Sequence, residues 1–244
     1  MRNMRLDLCY DGTRYRGWQR QPGVENTIQG KLETALSRIL EEPIEVCGSG
    51  RTDAGVHALH QVASFRCENR MDAQVLLEKL RHYLPDDIGV MDCKMASQRF
   101  HARYNAIRKT YRYRIWNSTE PCVFERRYVT VEEQPLDVEK MQQAAKYFLG
   151  THDFSSFCNH KSGNKSGNRQ IHSLTVEKTG NYRDITVTGN GFLRNRVRIL
   201  SGTRMEVGFG KRDPDSIPEL FESARSEAGF LAPPQGLCLV EVEY

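Results

Sequence analysis

Gly48-Ser49-Gly50-Arg51-Thr52-Asp53-Ala54-Gly55-Val56-His57 places an arginine and a carboxylate two residues apart in a glycine-rich bend flanked by strand-like segments. Glycines on either side let the backbone turn sharply and approach a ligand closely, where a Cβ would collide. A carboxylate is ionised at neutral pH, and a neighbouring guanidinium favours that state, so Asp53 reads as a nucleophile rather than a proton donor. The same Arg-x-Asp pattern also fits a salt-bridged turn without chemistry, and the rest of the chain has to decide between the two.

The elements that must hold this bend read as α/β. Leu6 to Tyr10 forms a strand, and a helix capped by Asn26 carries Ile28, Leu32, Ala35, Leu36, Ile39 and Leu40 at helical spacing until Pro43 stops it. Strands over Ile44 to Cys47 and Gln61 to Cys67 flank the bend, and a helix over Asp72 to Tyr83 and a strand over Gly89 to Met95 complete a first half. Thr110 to Trp116 alternates with period two, which sends Tyr111, Tyr113 and Ile115 to one side and Arg112 and Arg114 to the other. Helices follow over Asp137 to Leu149, Phe192 to Glu206 and Pro214 to Arg225, with strands over Gln170 to Glu177, Asp184 to Thr188 and Leu237 to Tyr244. The expected organisation is two similar α/β halves, residues 1–105 and 106–244, with antiparallel or mixed sheets, flanking helices and a cleft between them.

At 244 residues, with 39% hydrophobic and 27% charged residues, the chain can bury a sizeable core and is not disordered by composition. No apolar run reaches the ~18 residues that span a bilayer, and the start lacks a signal-peptide core, so the cytoplasm is the expected location and no membrane is involved. Seven scattered cysteines without a Cys-x-x-Cys pair read as reduced thiols, and no His/Cys set has metal-ligand spacing, so no metal is expected. Net charge is only +4. Its distribution says more: Lys94 to Thr119 carries seven basic residues and no acid, interleaved with Phe100, His101, Tyr104, Tyr111, Tyr113 and Trp116. Further runs are Arg194 to Arg212, and Lys161, Lys165 and Arg169 in a Ser/Gly/Asn loop. Such surfaces bind nucleic acid through phosphate neutralisation, although three separate solvated faces fit as well.

Six stretches in fixed order carry a resemblance over nearly the whole length: Tyr10-Asp11-Gly12-Thr13 with Gly17-Trp18-Gln19, Thr27-Ile28-Gln29-Gly30-Lys31-Leu32-Glu33, the bend Gly50 to Ala58, Phe100-His101-Ala102-Arg103, Lys109-Thr110-Tyr111-Arg112-Tyr113, and Gly236-Leu237-Cys238-Leu239. The chain resembles the tRNA pseudouridine synthases of the TruA type. The resemblance implies a homodimer that isomerises uridine to pseudouridine in the anticodon arm of tRNA, with no cofactor. It also implies residue roles: Asp53 the nucleophile, Arg51 its partner in the nucleic-acid stack, Tyr111 stacked on the uracil, Leu237 in the base pocket, and Arg103, Lys109 and Arg198 on the RNA. His101 reads as a hydrogen-bonded structural imidazole rather than a base.

Arg196, Arg204 and Leu231 depart from the family's usual methionine, apolar residue and threonine. On a helix, Arg196 and Arg204 border the stripe of Leu193, Val197 and Leu200, and their guanidiniums must snorkel, pair with acids or face RNA. An RNA-facing pair would imply a shifted target. Two other classes fit parts of the chain. One is another RNA substrate or a non-catalytic RNA-binding protein; the second is a phosphotransferase, but the bend lacks the Gly-Lys-Ser/Thr ending of a P-loop.

Overall fold

The computed structural model describes residues 1–159 and 167–244, so Lys161 and Lys165 of the third basic run lie outside the described residues. The chain divides into two compact units, residues 1–107 with 239–244, and residues 108–238. Among the described residues no helix is long and apolar enough to cross a membrane.

In the first unit, β1 (Arg2–Tyr10) lies between β3 (His57–Cys67) and β4 (Ile88–Met95), antiparallel to both, and β2 (Val46–Gly48) pairs with β3. Helix α1 (Ile28–Leu40) buries all six of its expected apolar positions, and α2 (Ala73–Tyr83) packs on β4. Thr27 rather than Asn26 caps α1, its hydroxyl accepting from the Gly30 amide at 3.2 Å, and Asp72 caps α2. The helix α1 ends at Leu40, before Pro43 is reached, because Glu41 turns left-handed at φ 58°. The division at 105/106 assigns the closing strand β10 (Leu237–Glu243) to the second half, whereas residues 239–244 pack in the first unit. There the Tyr244 hydroxyl donates to the Ala102 carbonyl at 2.6 Å, the Ile107 amide donates to the Glu243 carbonyl at 2.8 Å, and the Arg5 guanidinium lies 4.9 Å from the Tyr244 ring centre.

The second unit is built on β5 (Arg108–Asn117), β7 (Gly150–Asp153), β8 (Asn168–Thr179) and β9 (Tyr182–Gly189) in the order β5-β9-β8-β7, all antiparallel, with β6 (Thr130–Glu132) parallel beside β5. The alternation in β5 holds: Tyr111, Tyr113 and Ile115 are buried while Arg112 and Arg114 are half-exposed. Helix α3 (Val138–Ala145) is shorter than its periodicity suggests, tightening into a 3₁₀ turn over Lys146–Phe148. Helix α4 (Arg196–Gly208) starts four residues later than expected, since Asn195 sits at φ 63° and cannot continue a right-handed helix. Pro214–Phe221 is 3₁₀ rather than α, and Pro218 inside it has no amide to donate. Strands β6 and β7, three and four residues long, are too short to show a period and went unread.

Candidate active site

The bend after β2 is held from three sides. Below it, buried Gln61 on β3 donates from Nε2 to the Gly50 carbonyl at 3.1 Å, and its Oε1 accepts from the Ser49 hydroxyl at 2.5 Å. The Tyr10 and Thr52 hydroxyls share a hydrogen bond of 2.9 Å. Leu8 to Tyr10 of β1 is matched by Gln61 to Ala58 of β3, so β3 carries an extra residue here, a bulge at the foot of the bend. Behind it, the loop 11–18 donates the Trp18 amide to the Thr52 carbonyl (3.0 Å) and accepts the Gly55 amide on the Tyr15 carbonyl (3.3 Å). Gly55 has φ 77°, and a Cβ on Gly48 would lie 2.5 Å from the Trp18 indole, so two of the bend's glycines are set by geometry and packing.

The third support comes from α1. Buried Glu33 accepts on Oε1 from the Val46 amide (3.0 Å) and from Gln29 Nε2 (2.9 Å), and Gln29 Oε1 accepts from Gln19 Nε2 and the Arg20 amide. Arg20 Nη1 lies 3.1 Å from Glu33 Oε2. The Thr27-to-Glu33 stretch thus works as architecture, tying α1 to β2 and to the loop behind the bend. On this frame Asp53 is half-buried and Arg51 exposed. His101 is structural, as expected: Nδ1 accepts from the Arg103 amide at 3.1 Å, and the Arg103 side chain is exposed.

In the second unit, Tyr111 is 7% exposed on β5, opposite Val187, with its ring edge-on to Phe192 at 5.2 Å. Lys109 stands two residues earlier on the same strand, opposite Gly189, and is half-exposed. Leu237 follows a 3₁₀ turn over Pro234–Gly236 that is packed hard on β5: a Cβ on Gly236 would lie 2.9 Å from the Arg114 carbonyl oxygen and from the Tyr113 ring. The Tyr113 hydroxyl donates to the Pro233 carbonyl at 3.0 Å, and burial pushes its phenol well above the usual range. Arg198 on α4 donates from Nε to the Ala232 carbonyl at 2.7 Å, tying helix to turn.

A family model described as tRNA pseudouridine synthase matches residues 9–105 and 144–244. The chain belongs to that family. It is 46% identical to the tRNA pseudouridine synthase A of Bacillus sp. strain KSM-64 and 44% identical to the tRNA pseudouridine synthase A 2 of Clostridium perfringens (strain 13 / Type A), in each case over 100% of both chains. A solved structure entitled "Crystal Structure of a Cbf5-Nop10-Gar1 Complex" matches with a TM-score of 0.37 and 10% identity over 97% of this chain and 48% of that one, too loosely to carry an argument. As a tRNA pseudouridine synthase the chain is an isomerase. The family's two matched stretches contain Arg51, Asp53, Arg103, Arg198 and Leu237, while Lys109 and Tyr111 fall between them.

The basic runs divide differently from their sequence appearance. Arg114 is consumed by Asp184 through two bonds of 2.7 Å, Lys94 pairs with Asp92 at 2.7 Å, and Arg212 pairs with Glu206 at 2.9 Å. Arg196 and Arg204 are both 1% exposed, which overturns the RNA-facing reading and the shifted target drawn from it. Their guanidiniums lie 4.6 Å from the Phe154 ring centre and 5.1 Å from that of Phe148. What sequence reasoning missed is the support around the bend: Tyr10, Ser49 and Gln61 sit in otherwise apolar or loop-like stretches, and only a polar residue recurring inside a strand, Gln61, signals it.

Proposed function

We propose that the chain converts uridine to pseudouridine in the anticodon arm of tRNA with Asp53 as nucleophile. The reaction breaks the bond from ribose C1′ to N1, turns the base and joins C1′ to C5; the proton on C5 leaves and N1 gains one, so oxidation state is unchanged and no cofactor is required. A carboxylate that bonds covalently to the substrate divides this exchange into two easier steps. The observation that carries the reading is the bend itself: an aspartate within the Gly-Arg-Thr-Asp stretch, held from below, behind and beside by buried hydrogen bonds.

Reaching a stacked uridine requires extruding it, which costs a few kcal/mol. Arg51, exposed beside Asp53 in the sequence, is placed to fill the vacated stack and hold the nucleotide. Tyr111 supplies an aromatic face for the uracil and Leu237 an apolar wall, while Arg103, Lys109 and Arg198 neutralise phosphates. The working form proposed from the family resemblance is a cytoplasmic homodimer. Tritium release from tRNA transcripts labelled at uracil C5 tests the reading: the unmodified chain releases tritium and Asp53→Asn does not. No release by the unmodified chain sinks it.

A further inference from the structure

The loop that backs the bend also opens a recess of about 450 Å³, lined by residues 13–16 together with Asn26, Ala54 and Gly55. Its acids are already occupied. Asp87 Oδ2 accepts from Arg14 Nε and Nη2 at 2.8 and 2.6 Å, and Oδ1 accepts from the Tyr15 hydroxyl at 2.5 Å. Burial, then that bond to Asp87, pushes the Tyr15 phenol well up, so it stays a donor. Asp11 Oδ1 accepts from the Thr13 amide and hydroxyl at 2.9 and 2.5 Å. Arg16 and Asn26, by contrast, are exposed, and the Arg16 guanidinium has no hydrogen bond or ion pair among the described residues. The two are fixed to each other through the backbone, the Arg16 amide donating to the Asn26 carbonyl at 2.8 Å.

Ala54 and Gly55 directly follow Asp53, and two residues span at most about 7 Å, so the recess begins within one nucleotide's reach of the proposed nucleophile. The bond from the Gly55 amide to the Tyr15 carbonyl ties the recess to the bend. A nucleotide presented to Asp53 is flanked by phosphodiesters, and a guanidinium offers them two parallel N–H donors, with an amide side chain adding a third. We propose that this recess binds an RNA backbone phosphodiester beside the target uridine. Arg16 is its bidentate ligand, Asn26 a second donor, and Arg14, anchored on Asp87, a fixed positive charge. The assignment rests on the reading that an RNA uridine is brought to Asp53.

The test is binding of an anticodon-arm transcript across a range of KCl concentrations by the full chain carrying Asp53→Asn, which prevents turnover. It is compared with the same chain carrying in addition Arg16→Ala, Arg16→Lys or Asn26→Ala. Arg16→Ala should weaken binding about tenfold at low salt and reduce the slope of log K against log salt by about 0.9, one phosphate's worth. Arg16→Lys should keep the slope and recover part of the affinity, and Asn26→Ala should weaken binding with the slope intact. Unchanged affinity and slope in Arg16→Ala overturn the recess assignment, as does equal weakening by Arg16→Lys and Arg16→Ala. Failure of the functional reading shows separately, as absent tritium release by the unmodified chain, while the salt comparison still reports on the recess.

Discussion

The polar network under the bend of the first unit and the two buried arginines of the second are held in different ways. In the first, buried Gln61 and Ser49 hydrogen-bond to each other, Thr52 to Tyr10 and Glu33 to the Val46 amide, and every one of those bonds bears on the bend. In the second, the largest fully buried side chains are Arg196 and Arg204, and no ion pair to either is found among the described residues. Among the described residues Arg204 Nε and Nη2 and Arg196 Nε and Nη1 have no hydrogen-bond partner, and the bond from Arg196 Nη2 to the Gly167 carbonyl is long at 3.3 Å. Burial pushes both guanidiniums down, to about 9. Aromatic faces attract a cation but do not replace its lost hydration. The buried polar groups around the bend therefore position a site, while the two buried arginines of the second unit are carried at a cost to stability.

The contrast can be broken by substitution. The largest effect is expected at the point the first unit protects: Asp53→Asn should lower turnover at least about 10³-fold with the unfolding midpoint unchanged, checked by tritium release and thermal denaturation. Next, Gln61→Leu removes the donor to the Gly50 carbonyl and the acceptor of the Ser49 hydroxyl, so it should destabilise by about 2 kcal/mol in urea and lower kcat as well. If kcat is untouched, the network supports the fold and not the bend.

Arg204→Leu should do the reverse and stabilise by about 2 kcal/mol at pH 7, because an apolar side chain replaces a buried charge lacking an acidic partner. This gain depends on pH. Below about 9 the folded chain carries the buried charge and the penalty is complete; from there towards the ordinary arginine range the folded state releases a proton that the unfolded state keeps, so stability rises with pH and the gap between variant and parent narrows. Urea midpoints at pH 7 and pH 10 check the sign. The smallest effects are at the helix caps, where Asp72→Ala and Asp137→Ala should each cost about 1 kcal/mol with turnover unaffected.

Local chemistry explains which parts were legible without coordinates. The stripe of α1 and the alternation of β5 are periodic over enough residues to be unmistakable, and both bury the side chains expected. Boundaries were misread where one residue's backbone decides, at Asn195 and Pro218, or where a strand is too short to repeat, as in β6 and β7. The candidate nucleophile stood out because its glycines and charges are contiguous. Its supports did not, since Tyr10, Ser49, Thr52 and Gln61 come together only when β1, the bend and β3 pair.

The amino-acid sequence by itself determined the α/β class, the main elements and, through six ordered stretches, the family and its reaction. It did so because periodicity and contiguous motifs are local properties of a chain. Only the tertiary structure decided where charge goes. Arg196, Arg204, Arg114 and Arg16 are the same residue type, yet two are enclosed against phenylalanine rings, one is bound to Asp184 and one faces solvent beside the bend. A guanidinium's role follows from its solvation and its partners, and partners distant in sequence meet only in the folded chain.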